Sequence, residues 1–600
     1  MPSQPKARSP RALGWILLLI LPLALRLAPI EHGMPRNHVA DTHIVKNALG
    51  MARDLDPVPP MGRYSTYPYL LSYALLPIYA VEYGAGRILG EWSGKGEFAE
   101  RLFAEPDLAH RPARYLCALL ACLAPLALFG AARSAGLKSG AWIAAYLVGT
   151  GLLHLQFSIQ ERPWAPLVSF MALAGWGATA YVNSGRRVHL LASAVAAGLA
   201  FATHQAGAAA LGITGLAWLT CAHRASPDGK TAFGLGFKAV ALFAVTALAL
   251  GHPYYVMHGA VDKSAVAASE ALGSNSISIG GQALVFAFRA ETWHKLSRAL
   301  VGYDPVLVIL ALGGLVWGLR TRAARPVTGM ALLWAAFFMT NQGDHTRYLL
   351  PLSVLLALPA AAAGQWLWER RPARPLLMML LALPLVQATR LVWVMRQEDT
   401  RAEAERTLLA LDLDGPIGVD CYGPEVPMNA KALTRLAQHR ELGGREARRV
   451  MYFEANAVPP AGEGIDVLPL ESVLDYDLRT RSSWVEEAEA EQLGANPNDL
   501  LHALGMRYVL VVDRTPDNGV APILMDPAPA TLDADGQPLP KLTPVVVSGP
   551  PLFTIHPAGD TGRVADANLP AELTFPLTQI WNLKRPGPKL ELFRLPEERP

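Results

Sequence analysis

The sequence predicts a polytopic α-helical membrane domain followed by an α/β domain outside the membrane. Of its 600 residues, 52% are hydrophobic and only 17% are charged. The apolar residues form long blocks rather than amphipathic periods, which is typical of membrane-spanning helices. After Met395 the density of charge rises and no such block recurs. We therefore predict a membrane domain over residues 1–395 and a soluble domain over 396–600, large enough for its own core.

Several apolar blocks approach the length of about 20 residues that crosses a bilayer. Examples are LCALLACLAPLALFG and LLMMLLALPLVQATRLVWVM. The first block, WILLLILPLALRLAPI, follows Lys6, Arg8 and Arg11 and resembles a signal peptide. Arg26 interrupts its end and no small-residue cleavage site follows, so an uncleaved anchor is the better interpretation.

The basic residues of the short loops indicate the topology. If the segment Tyr67–Leu89 lies in the outer interface and does not cross the membrane, nearly all of these basic residues fall in cytoplasmic loops, as the positive-inside rule requires. This topology has about 11 crossings, with the N-terminus in the cytoplasm. The inside loops then carry Arg133, Lys138, Arg186, Arg187, Arg224, Lys230, Arg320, Arg322, Arg325, Arg370, Arg371 and Arg374. The short outside loops carry almost only Arg162 and Arg347. A re-entrant or spanning segment 67–89 is the alternative.

The cysteine content and the net charge say little about disulfide bonds or binding partners. Cys117, Cys122 and Cys221 lie in apolar blocks and Cys421 stands alone in the soluble domain, so no disulfide framework is indicated. The net charge of +3 gives no indication of a nucleic-acid partner, because the basic residues follow the membrane topology. The partner that the composition predicts is the lipid bilayer.

Polar insertions recur at the predicted outer ends of the crossings. The large first outer loop, about residues 31–111, contains RNHVADTHIVKN (Arg36–Asn47). Later outer ends carry QERPW (Gln160–Trp164), THQAG (Thr203–Gly207) and NQGDHTRY (Asn341–Tyr348). Charges at membrane depth are costly and usually face a cavity or a partner. Because all four polar insertions are predicted to lie at the outer face of the membrane, we expect a functional site at that face.

The order of these motifs resembles a known family. LALRL, Asp41 in the first outer loop, YPYLLSY, QERPW and TRYLLPL follow one another as in the C-type superfamily of polytopic glycosyltransferases, whose bacterial relatives include aminoarabinose transferases and protein O-mannosyltransferases. The resemblance implies transfer of a sugar from a polyprenyl-phosphate donor to a lipid, protein or glycan acceptor of the cell envelope, on the outer side of a bacterial plasma membrane. In the family the catalytic Asp is often followed by Glu, whereas Thr42 follows Asp41 here.

The resemblance also implies roles for single residues. Asp41 would be the general base, and Arg162 and Arg347 would contact the donor phosphate. Further expected substrate contacts are Glu161, Tyr348, His204, Arg26 and Tyr67. The chemistry agrees: partial desolvation tunes a carboxylate toward general base work, and guanidinium groups hold a phosphate leaving group in fork geometry.

Each residue also has a simpler interpretation. Asp41 is alternatively a solvated loop acid or the N-cap of a helix over THIVKNAL. Arg162 and Arg347 are alternatively snorkelling interface anchors, and Glu161 then pairs with Arg162. His204 is alternatively a satisfied helix-end group. Arg26 either lines the cavity or snorkels, and the sequence does not decide between the two.

A metal site in HVADTH is not supported. His38, Asp41 and His43 supply three possible ligands, but their spacing does not place two histidines at i and i+4, and no cysteine lies near in sequence. We therefore predict no metal or other cofactor.

The region 396–600 has the pattern of βα units. IGVDCY, RRVMYFE and RYVLVVD are predicted strands. The ending GPKLELFRL resembles the closing strand of exported domains in related glycosyltransferases. NPNDLLHALGMRYVLVVD predicts a helix from about Pro497, a stop at Gly505 and then a strand. Pro522–Pro551 is predicted to be a long irregular loop. No nucleotide-binding glycine motif is present.

Two other functions remain open from the sequence. A transporter would use the buried charges as a translocation path, although transporter sites lie near mid-membrane and these groups cluster on one side. A non-catalytic subunit of an envelope assembly complex would bind through its exported domain.

Overall fold

The computed structural model describes most of the predicted membrane domain and part of the C-terminal region. The described residues are 10–34, 36, 43–58, 67–225, 229–251, 276–279, 282–285, 290–340, 346–419, 423–438, 464–470, 501–502, 505–513, 548–557 and 577–596. The chain divides into two compact units. The first joins Met1–Ile30, Asp41–Glu82 and His110–Val392, and the second joins Glu31–Ala40, Tyr83–Ala109 and Trp393–Pro600.

The described residues up to Met395 are mostly helical. In chain order the helices are α1 (Pro10–Leu27), α2 (His43–Asp54), α3 (Leu70–Leu89), α4 (Lys95–Ala104), α5 (Pro106–Ala121), α6 (Leu123–Ser134), α7 (Ser139–Thr150), α8 (Leu152–Ser158), α9 (Trp164–Ser184), α10 (Arg187–Thr203), α11 (Ala208–Ala225), α12 (Gly229–Gly251), α13 (Ala290–Tyr303), α14 (Pro305–Arg320), α15 (Arg325–Thr340), α16 (Leu349–Glu369) and α17 (Arg374–Met395). A short antiparallel pair, β1 (Ser276–Ile279) with β2 (Gln282–Val285), lies between α12 and α13.

Five described helical segments are long and apolar enough to cross a membrane. They are Pro106–Ser134, Trp164–Ser184, Phe233–Gly251, Thr346–Glu369 and Arg371–Ala410. The bent pair Leu296–Tyr303 and Pro305–Arg320 gives a sixth if it forms one span. Several other predicted crossings form shorter apolar helices, such as Arg187–Thr203. The described helices thus support a polytopic chain, and the count of about 11 stays a prediction.

The segment predicted to lie in the outer interface is helical. α3 covers Leu70–Leu89 with Pro77 inside it, and it is not one of the five long apolar segments. Its position in the interface stays a prediction.

The C-terminal region contains a five-stranded mixed sheet with the strand order β4-β3-β5-β7-β6. The strands are β3 (Ile417–Val419), β4 (Val467–Pro469), β5 (Tyr508–Asp513), β6 (Ser548–Ile555) and β7 (Lys589–Arg594). β3 pairs in parallel with β4 and β5, whereas β7 is antiparallel to both of its neighbours. The helices α18 (Thr400–Ala410), α19 (Ala430–Gln438) and α20 (Leu577–Ile580) accompany the sheet.

Three predicted strands are confirmed: IGVDCY contains β3, RYVLVVD contains β5 and GPKLELFRL contains β7. Their apolar side chains form the core, with Val509, Leu510, Leu590 and Leu592 all fully buried. RRVMYFE lies outside the described residues.

The helix stop at Gly505 is also confirmed. Gly505 has φ +74°, its N–H donates to His502, and the Met506 N–H donates to Leu501. These two bonds form a Schellman motif, which requires a residue in the left-handed region. The predicted helix start near Pro497 lies outside the described residues.

The end of the predicted Pro-rich loop is wrong. β6 begins at Ser548, so Pro550 and Pro551 belong to a strand. An edge strand tolerates proline because one side of it needs no ladder hydrogen bonds, and β6 is the last strand of the sheet with a register shift between Ser548 and Phe553.

Candidate functional site

The QERPW segment lies between a broken helix and a long one. α7 ends at Thr150, Gly151 adopts φ −57° and ψ 127°, and α8 starts at Leu152. The break leaves the first N–H groups of α8 without helical partners. Asp304, the residue before α14, accepts the Leu152 N–H at 2.7 Å and supplies one partner across the fold.

Gly151 is needed at this break. A Cβ at this position would lie 2.9 Å from the Leu147 carbonyl oxygen and 3.4 Å from Asp304 Oδ1. Every residue from 151 to 170 is buried, including the polar insertion. The sequence predicted a polar outer end, and the structure encloses that end in protein.

Arg26 occupies the other side of the break. Its Nη1 donates to the carbonyls of Pro22 at 2.8 Å and Gly149 at 3.1 Å. Its Nη2 lies 2.7 Å from His154 Nδ1 on α8. Because a guanidinium only donates, His154 Nδ1 is the acceptor of this bond. Arg26 is fully buried, so it does not snorkel; its expected contact with substrate stays a prediction.

Glu161 pairs with two side chains of α5, not with Arg162 as the simpler interpretation supposed. Its Oε2 accepts from Arg114 Nε at 3.1 Å, and its Oε1 lies 2.8 Å from His110 Nδ1. Arg114 Nη1 also donates to the Ile30 carbonyl at 2.9 Å. Glu161 is 0% exposed and its two partners 1% each. A carboxylate this deeply buried needs such partners, because isolated buried charge is very costly.

Arg162 follows directly and is also buried, at 2% exposure. A snorkelling anchor extends its charged end to the surface, so that interpretation does not fit Arg162. Arg347 is half-buried, with its Cζ 5.5 Å from the centroid of the Tyr348 ring.

Five rings form a continuous series that we call the ring stack: His43, Tyr67, His204, Trp164 and Tyr348. The ring centroids of Trp164 and His204 are 4.3 Å apart, and those of His204 and Tyr67 are 5.1 Å apart. Tyr348 contacts Trp164 edge-on at 5.4 Å, and His43 contacts Tyr67 edge-on at 5.7 Å. These are ordinary separations for attractive ring pairs.

His204 is held in the stack by its position at a helix end. It follows α10 in extended conformation, and its Nδ1 accepts the Ala206 N–H at 3.0 Å. It is thus a satisfied helix-end group, as the simpler interpretation held, and also a member of the ring stack.

The structure brings three of the eight predicted site residues, Tyr67, His204 and Tyr348, into the ring stack. Glu161 and Arg162 precede Trp164 of the stack by three and two positions in sequence. Arg347 adjoins Tyr348. Arg26 lies at α8 instead. Asp41 and His38 lie outside the described residues.

Sequence reasoning missed four side chains that organise this region: His110, Arg114, His154 and Asp304. His110 and Arg114 stand at i and i+4 on α5, the spacing that places two side chains on one helix face. This i, i+4 spacing was the one local sign in the sequence that His110 and Arg114 act together. Nothing local links Asp304 to Leu152, which is 152 residues away.

No metal cluster is found in the part of the chain that the structure describes: no three His, Cys, Asp or Glu side chains are grouped to hold an ion. Two members of the HVADTH alternative, His38 and Asp41, fall outside that part.

No family profile and no curated protein matches the sequence. Among solved structures, the archaeal oligosaccharyltransferase AglB from Archaeoglobus fulgidus matches at 12% identity with a TM-score of 0.41, over 83% of this chain and 69% of that one. ArnT from Cupriavidus metallidurans matches at 16% identity with a TM-score of 0.40, over 67% of this chain and 66% of that one. The arabinofuranosyltransferase AftD from Mycobacteria matches at 15% identity with a TM-score of 0.39, over 99% of this chain and 40% of that one.

Because the TM-scores are below 0.5, the function has to be argued from the residues of this chain.

Proposed function

We propose that the chain is a membrane glycosyltransferase that moves a sugar from a polyprenyl-phosphate donor to an acceptor of the cell envelope. The observation that carries the proposal is the fully buried segment Glu161–Trp164, in which charged groups suited to a phosphate adjoin the ring stack. The outer side of the membrane is proposed from the sorted basic loops.

The guanidinium groups of the buried segment suit an anionic ligand. Arg114 and Arg162 are both at most 2% exposed and lie close in the fold or in sequence to Glu161. Arg347 adds a further guanidinium beside Tyr348. Planar guanidinium groups bind phosphate oxygens through paired hydrogen bonds, so a lipid phosphate suits these side chains.

The ring stack suits a sugar. A sugar ring presents apolar C–H faces to aromatic rings and hydroxyl groups to polar neighbours. The indole N–H of Trp164 is buried and meets no acceptor among the residues described. Both polar atoms of the Asn47 side chain are also buried and have no hydrogen-bond partner among the residues described. Asn47 lies one helical turn from His43 on α2. Sugar hydroxyl groups would form hydrogen bonds with the side chains of Trp164 and Asn47, since buried polar groups are normally hydrogen-bonded.

The reaction is a substitution at the anomeric carbon. An acceptor oxygen or nitrogen forms a bond to that carbon as its bond to the phosphate oxygen breaks, and the electron pair leaves with polyprenyl phosphate. Asp41 takes the proton that the acceptor loses. Arg162 and Arg347 hold the charge of the departing phosphate.

Chain connectivity supports the choice of Asp41. His43 belongs to the ring stack through Tyr67. Asp41 precedes His43 by two positions, and an extended chain of two residues spans at most about 7 Å. A carboxylate at position 41 is thus tethered close to the rings that would hold the sugar.

The test is transfer from defined donors. The purified full-length chain in liposomes is incubated with a panel of labelled polyprenyl-phosphate sugars and envelope acceptors. We expect Asp41→Asn to bind donor normally, while turnover falls by about 10²- to 10⁴-fold, as is typical for loss of a general base. Asp56→Asn, an exposed acid of the same loop, is the matched control and should retain activity.

Three results would count against the proposal. Turnover of Asp41→Asn within a few-fold of the parent would remove the base assignment. Joint loss of activity on chelation and in His38→Ala and His43→Ala would favour a metal site, because a site loses its metal when any ligand goes. Movement of labelled lipid across the bilayer without sugar transfer would favour a transporter.

A second measurement tests the phosphate contacts. Arg162→Lys and Arg347→Lys keep the positive charge but lose the guanidinium fork, so donor affinity should fall by about 10-fold while the protein still folds. Arg322→Lys is the control, since Arg322 is also half-buried and only donates to the Thr220 carbonyl. Unchanged donor affinity in both site variants would contradict the phosphate role.

A further inference from the structure

The turn between α16 and α17 carries two exposed tryptophans and three exposed arginines. Trp366 is 52% exposed and Trp368 is 39% exposed, although tryptophan is on average a well-buried residue. The three arginines follow Trp368 within the next six positions. We call this set of residues the α16–α17 corner: Trp366, Trp368, Arg370, Arg371 and Arg374.

Two guanidinium groups of the corner lie against its tryptophan rings. The Cζ of Arg370 is 3.6 Å from the centroid of the Trp366 ring. The Cζ of Arg374 is 5.3 Å from the centroid of the Trp368 ring, and its Nε donates to the Trp368 carbonyl at 2.6 Å. A guanidinium that stacks on a ring keeps N–H groups at its edge available to an anion. The corner thus presents charged donors that the rings hold in place.

No carboxylate forms an ion pair with these arginines in the part of the chain that the structure describes. Glu369 is the one acid in the sequence from 364 to 379. α17 starts at Arg374 and has no acid in its first turn, although a helix N-terminus favours acidic over basic side chains. Stabilisation of α17 therefore does not account for the positive charge of the corner.

The turn between α6 and α7 lies beside the corner and adds to its charge. Gln365 Oε1 accepts the N–H of Lys138 at 2.7 Å and the N–H of Gly140 at 3.1 Å, at the start of α7. A Cβ at Gly140 would lie 2.8 Å from the Ala361 carbonyl oxygen, so α7 starts in direct contact with α16. Lys138 is exposed and extends the basic surface.

An apolar surface continues from the corner along α17. Leu376, Met378 and Met379 are 48%, 55% and 66% exposed. The segment Arg371–Ala410 is long and apolar enough to cross a membrane, and only 33% of its apolar stretch is buried in the protein. Tryptophan and arginine at the end of such a surface are typical of the headgroup zone of a bilayer.

The full length of α16 separates the corner from the candidate functional site. Tyr348 of the ring stack directly precedes α16, and Trp366 and Trp368 lie in its last turn. A helix of 21 residues is about 30 Å long. A phosphate bound at the corner is therefore not the donor phosphate of the proposed reaction.

We propose that the α16–α17 corner binds the headgroup of an anionic phospholipid of the bilayer. The arginines of the corner and Lys138 contact the phosphate oxygens, and the two tryptophans lie at the level of the glycerol. The acyl chains run along the exposed apolar side chains of α17. Because this apolar surface continues directly from the basic one, a membrane lipid fits the corner better than a soluble anion.

Lipid binding to the purified full-length chain in detergent tests the proposal. Native mass spectrometry measures the dissociation constant of the first bound phosphatidylglycerol, and phosphatidylcholine with the same acyl chains is the neutral comparison. We expect the parent to bind phosphatidylglycerol about 10-fold more tightly, because basic clusters attract anionic headgroups. The combined change Arg370→Gln, Arg371→Gln and Arg374→Gln, the corner triple, should remove most of this preference.

The matched control removes the same charge from another basic turn of the membrane domain. Between α14 and α15, Arg322 and Arg325 donate to the backbone carbonyls of Thr220 and Leu319. The control triple Arg320→Gln, Arg322→Gln and Arg325→Gln should leave the affinity for phosphatidylglycerol unchanged.

A second variant keeps every charge of the corner. Trp366→Leu combined with Trp368→Leu removes the rings under the two guanidinium groups. The affinity for phosphatidylglycerol should fall by about 3-fold, as expected for loss of exposed cation–π contacts. Circular dichroism and gel filtration check that each variant is folded.

Three results would overturn the lipid site. The first is an affinity of the corner triple equal to that of the parent, and the second is an equal loss in the corner triple and the control triple. The third is displacement of phosphatidylglycerol by an equal concentration of inorganic phosphate, which would indicate an anion site that needs no lipid. If the corner triple does not fold, an unchanged affinity in the tryptophan variant overturns the site in its place. Sugar transfer is no part of these readouts, so their result is independent of the proposed function.

Discussion

Two arginine–carboxylate pairs of similar geometry lie in opposite surroundings. In the first unit Arg114 and Glu161 are 3.1 Å apart and 1% and 0% exposed. In the second unit Arg507 and Asp414 are 2.8 Å apart and 55% and 59% exposed. Water screens the exposed pair and can replace either partner, whereas each buried partner depends on the other for its charge. Burial, and not the distance between the atoms, therefore decides what such a pair contributes.

The largest expected effect is on the buried pair. Glu161→Ala removes the carboxylate that pairs with Arg114 and leaves the guanidinium buried, so the free energy of unfolding should fall by about 3–5 kcal/mol. Arg114→Met combined with Glu161→Met removes both charges and should be more stable than Glu161→Ala alone. Thermal unfolding in detergent measures both, with Asp414→Ala as the exposed control. Equal, small shifts in Glu161→Ala and Asp414→Ala would refute the comparison.

A smaller effect is expected for a buried helix cap. Asp304→Ala leaves the Leu152 N–H without its acceptor, so stability should fall by about 1–3 kcal/mol. The comparison is Asn429, which accepts the Ala432 N–H at the start of its own helix, α19. Asn429→Ala should cost about 1 kcal/mol, as local caps do.

Amide hydrogen exchange distinguishes the two caps. Asp304→Ala should speed exchange at residues 152–158 in α8, and Asn429→Ala only at the start of α19. Unchanged exchange in α8, with a stability loss no larger than that of Asn429→Ala, would mean that Asp304 does not support the break at Gly151.

The contrast between these caps also explains what the sequence could predict. Strands such as β5 and β7, and the stop at Gly505, follow from apolar runs and a glycine that act within a few residues. The polar motif QERPW likewise stands out locally, and the site proposed around it stays a prediction. These signals are local, so one sequence suffices to read them.

The contacts that build the site are not local. Arg114 meets Glu161 across 47 residues, and Arg26 meets His154 across 128. Which charge reaches which carboxylate depends on how the helices pack, and a sequence pattern carries no signal for that. The sequence therefore singled out Glu161, whose substrate contact stays a prediction, but carried no sign of its partners His110 and Arg114.

The smallest expected effect is on the exposed pair. The Tyr508 hydroxyl donates to Asp414 Oδ1 at 2.6 Å, and this bond, followed by the charge of Arg507, lowers the pKa of Asp414 below its ordinary value. At pH 7, Asp414→Asn should change the Tm by less than about 2 °C, because water screens an exposed pair.

The pH dependence of this pair has a definite sign. A lowered pKa in the folded state means that the carboxylate stabilises the fold above about pH 4, the ordinary pKa of an aspartate, and that this stabilisation is lost as the pH falls through the lowered value. Tm measured from pH 7 to pH 2 should therefore show the small difference between the parent and Asp414→Asn shrinking toward the acid end. At 1 M salt the contribution of Arg507 should be screened, while the hydrogen bond from Tyr508 persists. A difference that grows on acidification, or one as large as that of Glu161→Ala at neutral pH, would show that exposure does not set the contribution of these pairs.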